Sequence, residues 1–300
     1  MAEVNIMAGR KTSVERKIRR KGWIFIIPAV FLIAVLSFYP MVQALLLSLQ
    51  SGKGNALSWT GITNYTRLLR DRAFIAALKN TFFYLIVQVP IMLTMALILA
   101  SMLNDKTLRG KGIYRTLIFL PCATSLVSCS IIFKQLFSAN GFINNLLINW
   151  SFIEEPLPFL TNAAWARVII VITMLWRWTG YNMVFYLAGL QNIDSQVYEA
   201  ARIDGASVTQ QFSRITVPLL KPIIVLTSIL STNGTLQLFD EVRNMTNSGP
   251  SNGTITLSTY IYRLTFENVP QFGYAASIAF TIFIMVAVLA AIQRKVGDTR

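Results

Sequence analysis

The chain has 300 residues, of which 54% are hydrophobic and only 13% charged, with a mean hydropathy of +0.54. A soluble domain carries about a quarter of its residues as charges, so this balance excludes an ordinary soluble fold. The net charge of +14 invites a nucleic-acid reading, but the basic residues flank apolar runs instead of gathering on one soluble face, which excludes that class too.

The chain opens on a basic tail over 1–22 that holds Arg10, Lys11, Arg16, Lys17, Arg19, Arg20 and Lys21. Apolar runs follow over 23–45, 78–103, 115–137, 165–189, 219–239 and 272–293. Each approaches or exceeds the roughly 20 residues that a helix needs to cross a hydrocarbon layer. The expectation is an all-α membrane protein with six transmembrane helices in one domain over 23–293. The first run is longer than a signal-peptide core and no small-residue cleavage site follows it, so it is expected to stay as an anchor.

Charge alternates between the connections. The loop after the second run holds Lys106, Arg109, Lys111 and Arg115, and the loop after the fourth holds Arg202 and Arg214, with Lys221 just beyond. The tail over 294–300 holds Arg294, Lys295 and Arg300. The connections over 46–77, 138–163 and 240–271 hold only Lys53, Arg67, Arg70, Arg72, Arg243 and Arg263. Excess Lys and Arg mark the cytoplasmic side. Both termini and the loop over 190–221 are therefore expected inside, with the basic tail against anionic lipid headgroups. Trp150 and Trp165 bracket the second outside connection as interfacial anchors.

Several chemistries drop out. No histidine is present, which removes the commonest proton carrier of enzyme sites. Cys122 and Cys129 lie seven residues apart on one face of the third run and read as small packing residues, since two cysteines alone make a poor metal site. No catalytic residue and no metal site is expected. The G-x-x-x-x-G-K-[ST] phosphate loop is missing, so no nucleotide site is expected in this chain.

The loop over 190–221 has its own local grammar. Asp194 or Ser195 can cap a helix, and Asp204-Gly205 ends it, because glycine takes the left-handed conformation. Ser207 with Gln210 forms a capping-box pattern for a second helix, and Pro218 opens the next run. Small apolar residues (Val197, Ala200, Ala201, Ile203) with Glu199 and Asp204 make the first helix a docking element.

The stretch YEAARIDGASVTQQFSRITVPLLKP (198–222) resembles the EAA motif of permease subunits of ABC importers. Glu199, Ala200, Ala201, Asp204, Gly205, Ala206, Phe212, Ile215, Pro218 and Pro222 fit it, and Val217 stands where leucine is usual. TNSGPSNGTITLSTYIYRLTFENVPQFGYAASIAF (246–280) is similar to the segment before the last span of maltose/lactose-type sugar permeases, with Ser248 in place of the first glycine of G-G-P. The chain resembles a compact six-span form, without the extra N-terminal spans and large periplasmic insertion of some relatives.

The resemblance implies a type I ABC importer permease fold in a bacterial cytoplasmic membrane. It implies pairing with a second, different permease subunit, two cytoplasmic ATPase subunits that bind ATP and Mg, and a sugar-binding protein outside. This chain would bind no cofactor of its own and hydrolyse nothing. Tyr198, Glu199, Ala200, Ala201, Asp204, Gly205, Ala206 and Ser207 would form the coupling surface for the ATPase, with Gly205 supplying the turn.

Polar residues inside spans are costly and tend to face a cavity or a partner. The fourth run holds Trp176, Arg177, Trp178, Thr179, Tyr181 and Asn182; the fifth holds Ser231, Thr232, Asn233, Thr235 and Gln237 and ends in Asp240 and Glu241. Rings stack on sugar faces and amides bond hydroxyls, so Trp178, Tyr181, Asn182, Asn233, Gln237 and Asp240 are the candidate substrate path, though each is also a plausible helix–helix contact. Arg177 is placed to pair with Asp240 or Glu241. The substrate expected is a sugar, an oligosaccharide first. Glycerol 3-phosphate or a polyol is the nearest alternative, but a phosphate ester wants several cations and Arg177 is the only one away from the ends of the two spans. A gradient-driven transporter would show acids deep in a span or paired broken spans, and neither is evident. A membrane enzyme would need a nucleophile–base pair, and none stands out.

Overall fold

In hydrocarbon every backbone N–H and C=O must be satisfied within the chain, so apolar runs become helices. The computed structural model describes residues 22–298 apart from 24, 55 and 106. The basic tail, but for its last residue, and Arg300 lie outside the described residues.

Helix α1 (Phe25–Ser48) takes a π-turn at Ala34–Phe38, two residues before Pro40. Proline has no N–H and its ring crowds the preceding turn, which the wider π-turn accommodates. A hairpin follows, β1 (Gln50–Lys53) antiparallel to β2 (Ala56–Trp59), with Gln50 opposite Trp59 and Lys53 opposite Ala56. After α2 (Thr63–Leu68), Asp71 caps α3 (Arg72–Leu103) by accepting from the N–H groups of Ala73 at 2.8 Å and Phe74 at 3.4 Å. Its other oxygen accepts from the hydroxyls of Tyr260 (2.5 Å) and Tyr274 (2.6 Å). Burial alone would raise the Asp71 carboxyl, but these four hydrogen bonds outweigh it and hold the group below its usual value. The carboxylate thus ties the start of α3 to the last segment of the chain.

The third apolar run is not one straight span. It is α4 (Lys111–Ala123) and α5 (Leu126–Leu136), which meet at 97° across Thr124 and Ser125. Pro121 weakens the last turn of α4, and Thr124 and Ser125 are extended (φ −77°, ψ 157° and φ −61°, ψ 139°). Among the described residues five stretches are long and apolar enough to cross a membrane: α1, α3, α7 (Ala163–Gln191), Lys221–Met245, and Phe272–Gly297 within the last helix. A sixth exists if the bent pair is one span. The fifth run also continues past its expected end at 239, since α10 (Lys221–Leu236) kinks and resumes as α11 (Asp240–Met245).

The remaining helices are α6 (Phe142–Asn149), α8 (Ser195–Ile203), α9 (208–219), α12 (Leu257–Tyr262) and α13 (Phe272–Asp298). At the centre α3 and α7 run side by side and make the most extensive pairing; α4 lies on α7, α5 on α11, and α10 against α3 and α13. Three apolar clusters follow one another along this axis. Phe74, Ala77, Tyr260 and Tyr274 pack at one end, Tyr84, Phe133, Ile169, Met174 and Val242 in the middle, and Ala96, Ala100, Met183, Tyr186 and Leu220 at the other. Helix α1 touches the bundle mainly through its C-terminal part, against α13, and its apolar side chains stand exposed over 25–39.

Candidate transport cavity and docking loop

A cavity of about 340 Å³ opens between the middle and far clusters, within the range of about 300–1,000 Å³ usual for small-molecule sites. Helix α3 contributes Gln88 and Met92, α5 Leu126, and α7 Met174, Trp178, Tyr181 and Asn182. The α10–α11 stretch closes it with Leu230, Ser231, Gly234, Thr235 and the kinked segment from Gln237 to Glu241. The kink at 237–239 brings two carboxylates of α11, Asp240 and Glu241, to the lining.

Five of the six expected path residues meet here: Trp178, Tyr181, Asn182, Gln237 and Asp240. Trp178 and Tyr181 stand edge to face with centroids 5.9 Å apart, a favoured aromatic geometry. The Asn182 amide donates to the Trp178 carbonyl at 3.0 Å and its oxygen lies 3.5 Å from the Ser231 hydroxyl. Asn233 is not part of the lining. It is exposed, and its side-chain oxygen accepts from Gln237 at 2.7 Å one turn further on. Trp176 also points elsewhere, onto Phe133 with centroids 5.2 Å apart.

Gln88 and Met92 are the lining residues that sequence reasoning passed over. Gln88 is fully buried, and its oxygen accepts from Thr235 at 3.1 Å. The signal was present: a buried amide in the middle of the second run meets the same cost argument that singled out the fourth and fifth.

Arg177 does not pair with Asp240 or Glu241. It is 5% exposed and turns into the break between α4 and α5. One guanidinium nitrogen donates to the Pro121 carbonyl (3.3 Å) and the Thr124 hydroxyl (3.2 Å); the other donates to the carbonyls of Cys122 (3.3 Å) and Thr124 (2.7 Å). The last carbonyls of a helix have no partner within it, and a cation there also meets the negative end of the helix dipole. Arg177 therefore caps α4 from outside. Nearby, a Cβ on Gly180 would come within 2.0 Å of the Ile118 carbonyl oxygen, so α7 meets α4 backbone to backbone.

The 190–221 loop has the expected helix–turn–helix form. Asp194 caps α8 by accepting from Gln196 N–H at 2.9 Å. Gly205 takes φ +77°, and Ala206 N–H donates back to Ala201 O at 2.9 Å, closing the turn. Ser207 and Gln210 form the capping box of α9. The Tyr198 and Thr216 hydroxyls bond at 3.0 Å and hold the two helices together. Glu199, Ala200, Asp204, Gly205 and Ser207 are exposed, while Tyr198, Ala201 and Ala206 are half-buried. Ile203 and Val208, on either side of the turn, are 87% and 83% exposed, so the turn presents apolar surface outward.

A bundle of long apolar helices with a largely apolar cavity that carries a few polar groups, and a protruding helix–turn–helix, fits a membrane transport component, and comparison with known proteins gives the family. The family model described as binding-protein-dependent transport system inner membrane component matches residues 81–298, and the chain belongs to that family. It is 52% identical over 285 residues to the lactose transport system permease protein LacF of Rhizobium radiobacter, covering 94% of this chain and 96% of that one. It is 33% identical over 275 residues to the arabinooligosaccharides transport system permease protein AraP of Halalkalibacterium halodurans, covering 90% of this chain and 85% of the relative. In fold it matches a bacterial ABC transporter involved in import of the acidic polysaccharide alginate, at a TM-score of 0.83 and 23% identity, over 96% of this chain and 99% of that chain.

Proposed function

We propose that this chain is a transmembrane permease subunit of an ATP-binding-cassette importer that carries a sugar, an oligosaccharide first, across a bacterial cytoplasmic membrane. The observation that carries the reading is the 52% identity to a lactose permease over nearly the whole of both chains, with the cavity and the exposed α8–α9 turn in support. Six spans, counting α4 and α5 together, put both termini in the cytoplasm. The residues 198–207 dock on one of two ATPase subunits, which bind ATP and Mg and perform the hydrolysis. A second, different permease subunit completes the pathway, and an extracytoplasmic sugar-binding protein delivers the cargo. Trp178, Tyr181, Asn182 and Gln237 contact sugar faces and hydroxyls in the cavity. The chain itself is a non-catalytic subunit.

The test is affinity purification of the tagged chain from native membranes in mild detergent, for wild type and Gly205→Val side by side. Nothing lies within 4 Å of a Cβ at Gly205, so the change acts through backbone alone. A β-branched residue strongly disfavours φ +77°. The expected result is a second permease and an ATPase with wild type, and the permease without the ATPase for Gly205→Val. Purification of wild type with no ATPase, even after crosslinking, overturns the reading.

A further inference from the structure

We propose that Asp240 makes the cavity a charge filter that refuses anionic saccharides, and that it is a specificity-determining residue of this subunit. The inference rests on the reading of the cavity as the sugar path. Its basis is the charge inventory of the lining. Among the lining residues Asp240 and Glu241 are the charged ones, both acids, and no Lys or Arg contributes. Both sit on the first turn of α11, which the kink at 237–239 swings across the cavity.

The cations that might have balanced them are committed elsewhere. Arg177, the one cation expected in this region, caps the break after α4 with both of its terminal nitrogens. Arg243, one turn beyond Asp240, pairs with Glu267, bonds Asn247, and lies over the Tyr262 ring 4.8 Å from its centroid. Neither lines the cavity. A carboxylate, phosphate or sulfonate entering it would lose its hydration and meet the half-buried Asp240 carboxylate, with no Lys or Arg in the lining to receive it. Like-charge juxtaposition is the means by which a site rejects a near-isosteric competitor. A neutral saccharide carries no such penalty, because it needs only the rings of Trp178 and Tyr181 and the amides of Gln88, Asn182 and Gln237.

The test uses the assembled importer, purified through the tagged chain into nanodiscs without binding protein. Calorimetric titration compares two disaccharides of the same linkage, α-1,4-galactobiose and α-1,4-digalacturonate, at fixed ionic strength. They differ in a CH2OH against a COO− on each ring. The quantity read is the ratio of their affinities, for wild type, Asp240→Asn, Glu241→Gln and the double variant. The expected wild-type ratio favours the neutral sugar by at least about tenfold. It falls toward unity in Asp240→Asn, whose half-buried position tolerates the amide, and in the double variant. Equal affinity of the two sugars in wild type overturns the filter while leaving the sugar path standing, and so does a ratio unchanged in the variants. Absence of galactobiose binding, with maltotriose and lactose silent as well, overturns the sugar path and the filter with it.

Discussion

A guanidinium at 5% exposure in the middle of an apolar helix stands only if most of its donors find acceptors. The two terminal nitrogens of Arg177 find four, three of them backbone carbonyls where α4 ends, while its Nε finds none. Its partner was illegible in the sequence for a physical reason. A pattern search offers acids such as Asp240 and Glu241 as partners for an arginine, because side-chain charges are visible in the text. Carbonyls freed by a break in a helix carry no letter. The dependence is mutual: without the cation the carbonyls of Cys122 and Thr124 lose these donors, while that of Pro121 keeps the Thr124 hydroxyl and N–H. Arg177→Met keeps most of the side chain's length and removes all four bonds, and hydrogen bonds to a charged group contribute about 1.5–3 kcal/mol each when one partner is lost. The expected loss is about 3 kcal/mol, read as a fall in the thermal unfolding midpoint of the purified chain. Arg177→Lys is expected to lie between the two, since one ammonium cannot fork to both sides of the break. A variant as stable as wild type would mean that the break supports itself.

Elements were legible wherever a boundary has a chemical mark of its own. Asp194 and Ser207 each cap the helix that follows, and Gly205 turns the chain where a glycine was wanted. The bend between α4 and α5 has a weaker mark: Ser125 stands at the N-cap of α5 but makes no capping hydrogen bond, the Thr124 hydroxyl turns back to the Pro121 carbonyl, and proline is tolerated inside other helices of the chain, as Pro90 is in α3. What fixes the bend is tertiary: Arg177 on one side and the close approach of α7 to α4 at Gly180 on the other. The same holds for Asn233 and Gln237, one turn apart on α10–α11; both were expected at the cavity, and only the kink turns Gln237 toward it while Asn233 faces out. Gly180→Ala tests the helix pair directly. Its methyl group would sit 2.0 Å from the Ile118 carbonyl oxygen, with the Phe119 Cα 3.1 Å away, and both are backbone atoms that cannot rotate aside. Separating the helices should cost about 1–3 kcal/mol. Because Arg177 and Gly180 hold the same helix, the double variant with Arg177→Met should lose less than the sum of the two, which a double-mutant cycle on unfolding midpoints would read.

At the scale of the molecule the charge pattern supports the proposed orientation of the bundle, in a way that can be checked. The exposed α8–α9 turn and the end of α13 carry Arg202, Arg214 and Lys295, whereas the loop over 150–162 carries Glu154 and Glu155 and no basic residue. Lys and Arg beside a span resist translocation, so their excess marks the inner side. The segment from 163 to 191 then crosses once between Glu154 and the coupling turn, and the two stretches Lys221–Met245 and Phe272–Gly297 return the chain to the side it left. Single cysteines at exposed positions separate the possibilities. In a background with Cys122→Ser and Cys129→Ser, Glu154→Cys should react with a membrane-impermeant maleimide in intact cells. Thr209→Cys and Lys295→Cys should react only after the membrane is opened. Labelling of Thr209→Cys from outside would put the coupling turn beyond the reach of any cytoplasmic ATPase and remove the basis for ATP-driven transport. Labelling of Lys295→Cys from outside, with Thr209→Cys protected, would mean that one of the last two stretches does not cross. Since α13 is apolar over 26 residues at a hydropathy of 2.6, the stretch then in doubt would be Lys221–Met245, whose hydropathy is 1.3 and whose kinked end forms the wall of the cavity.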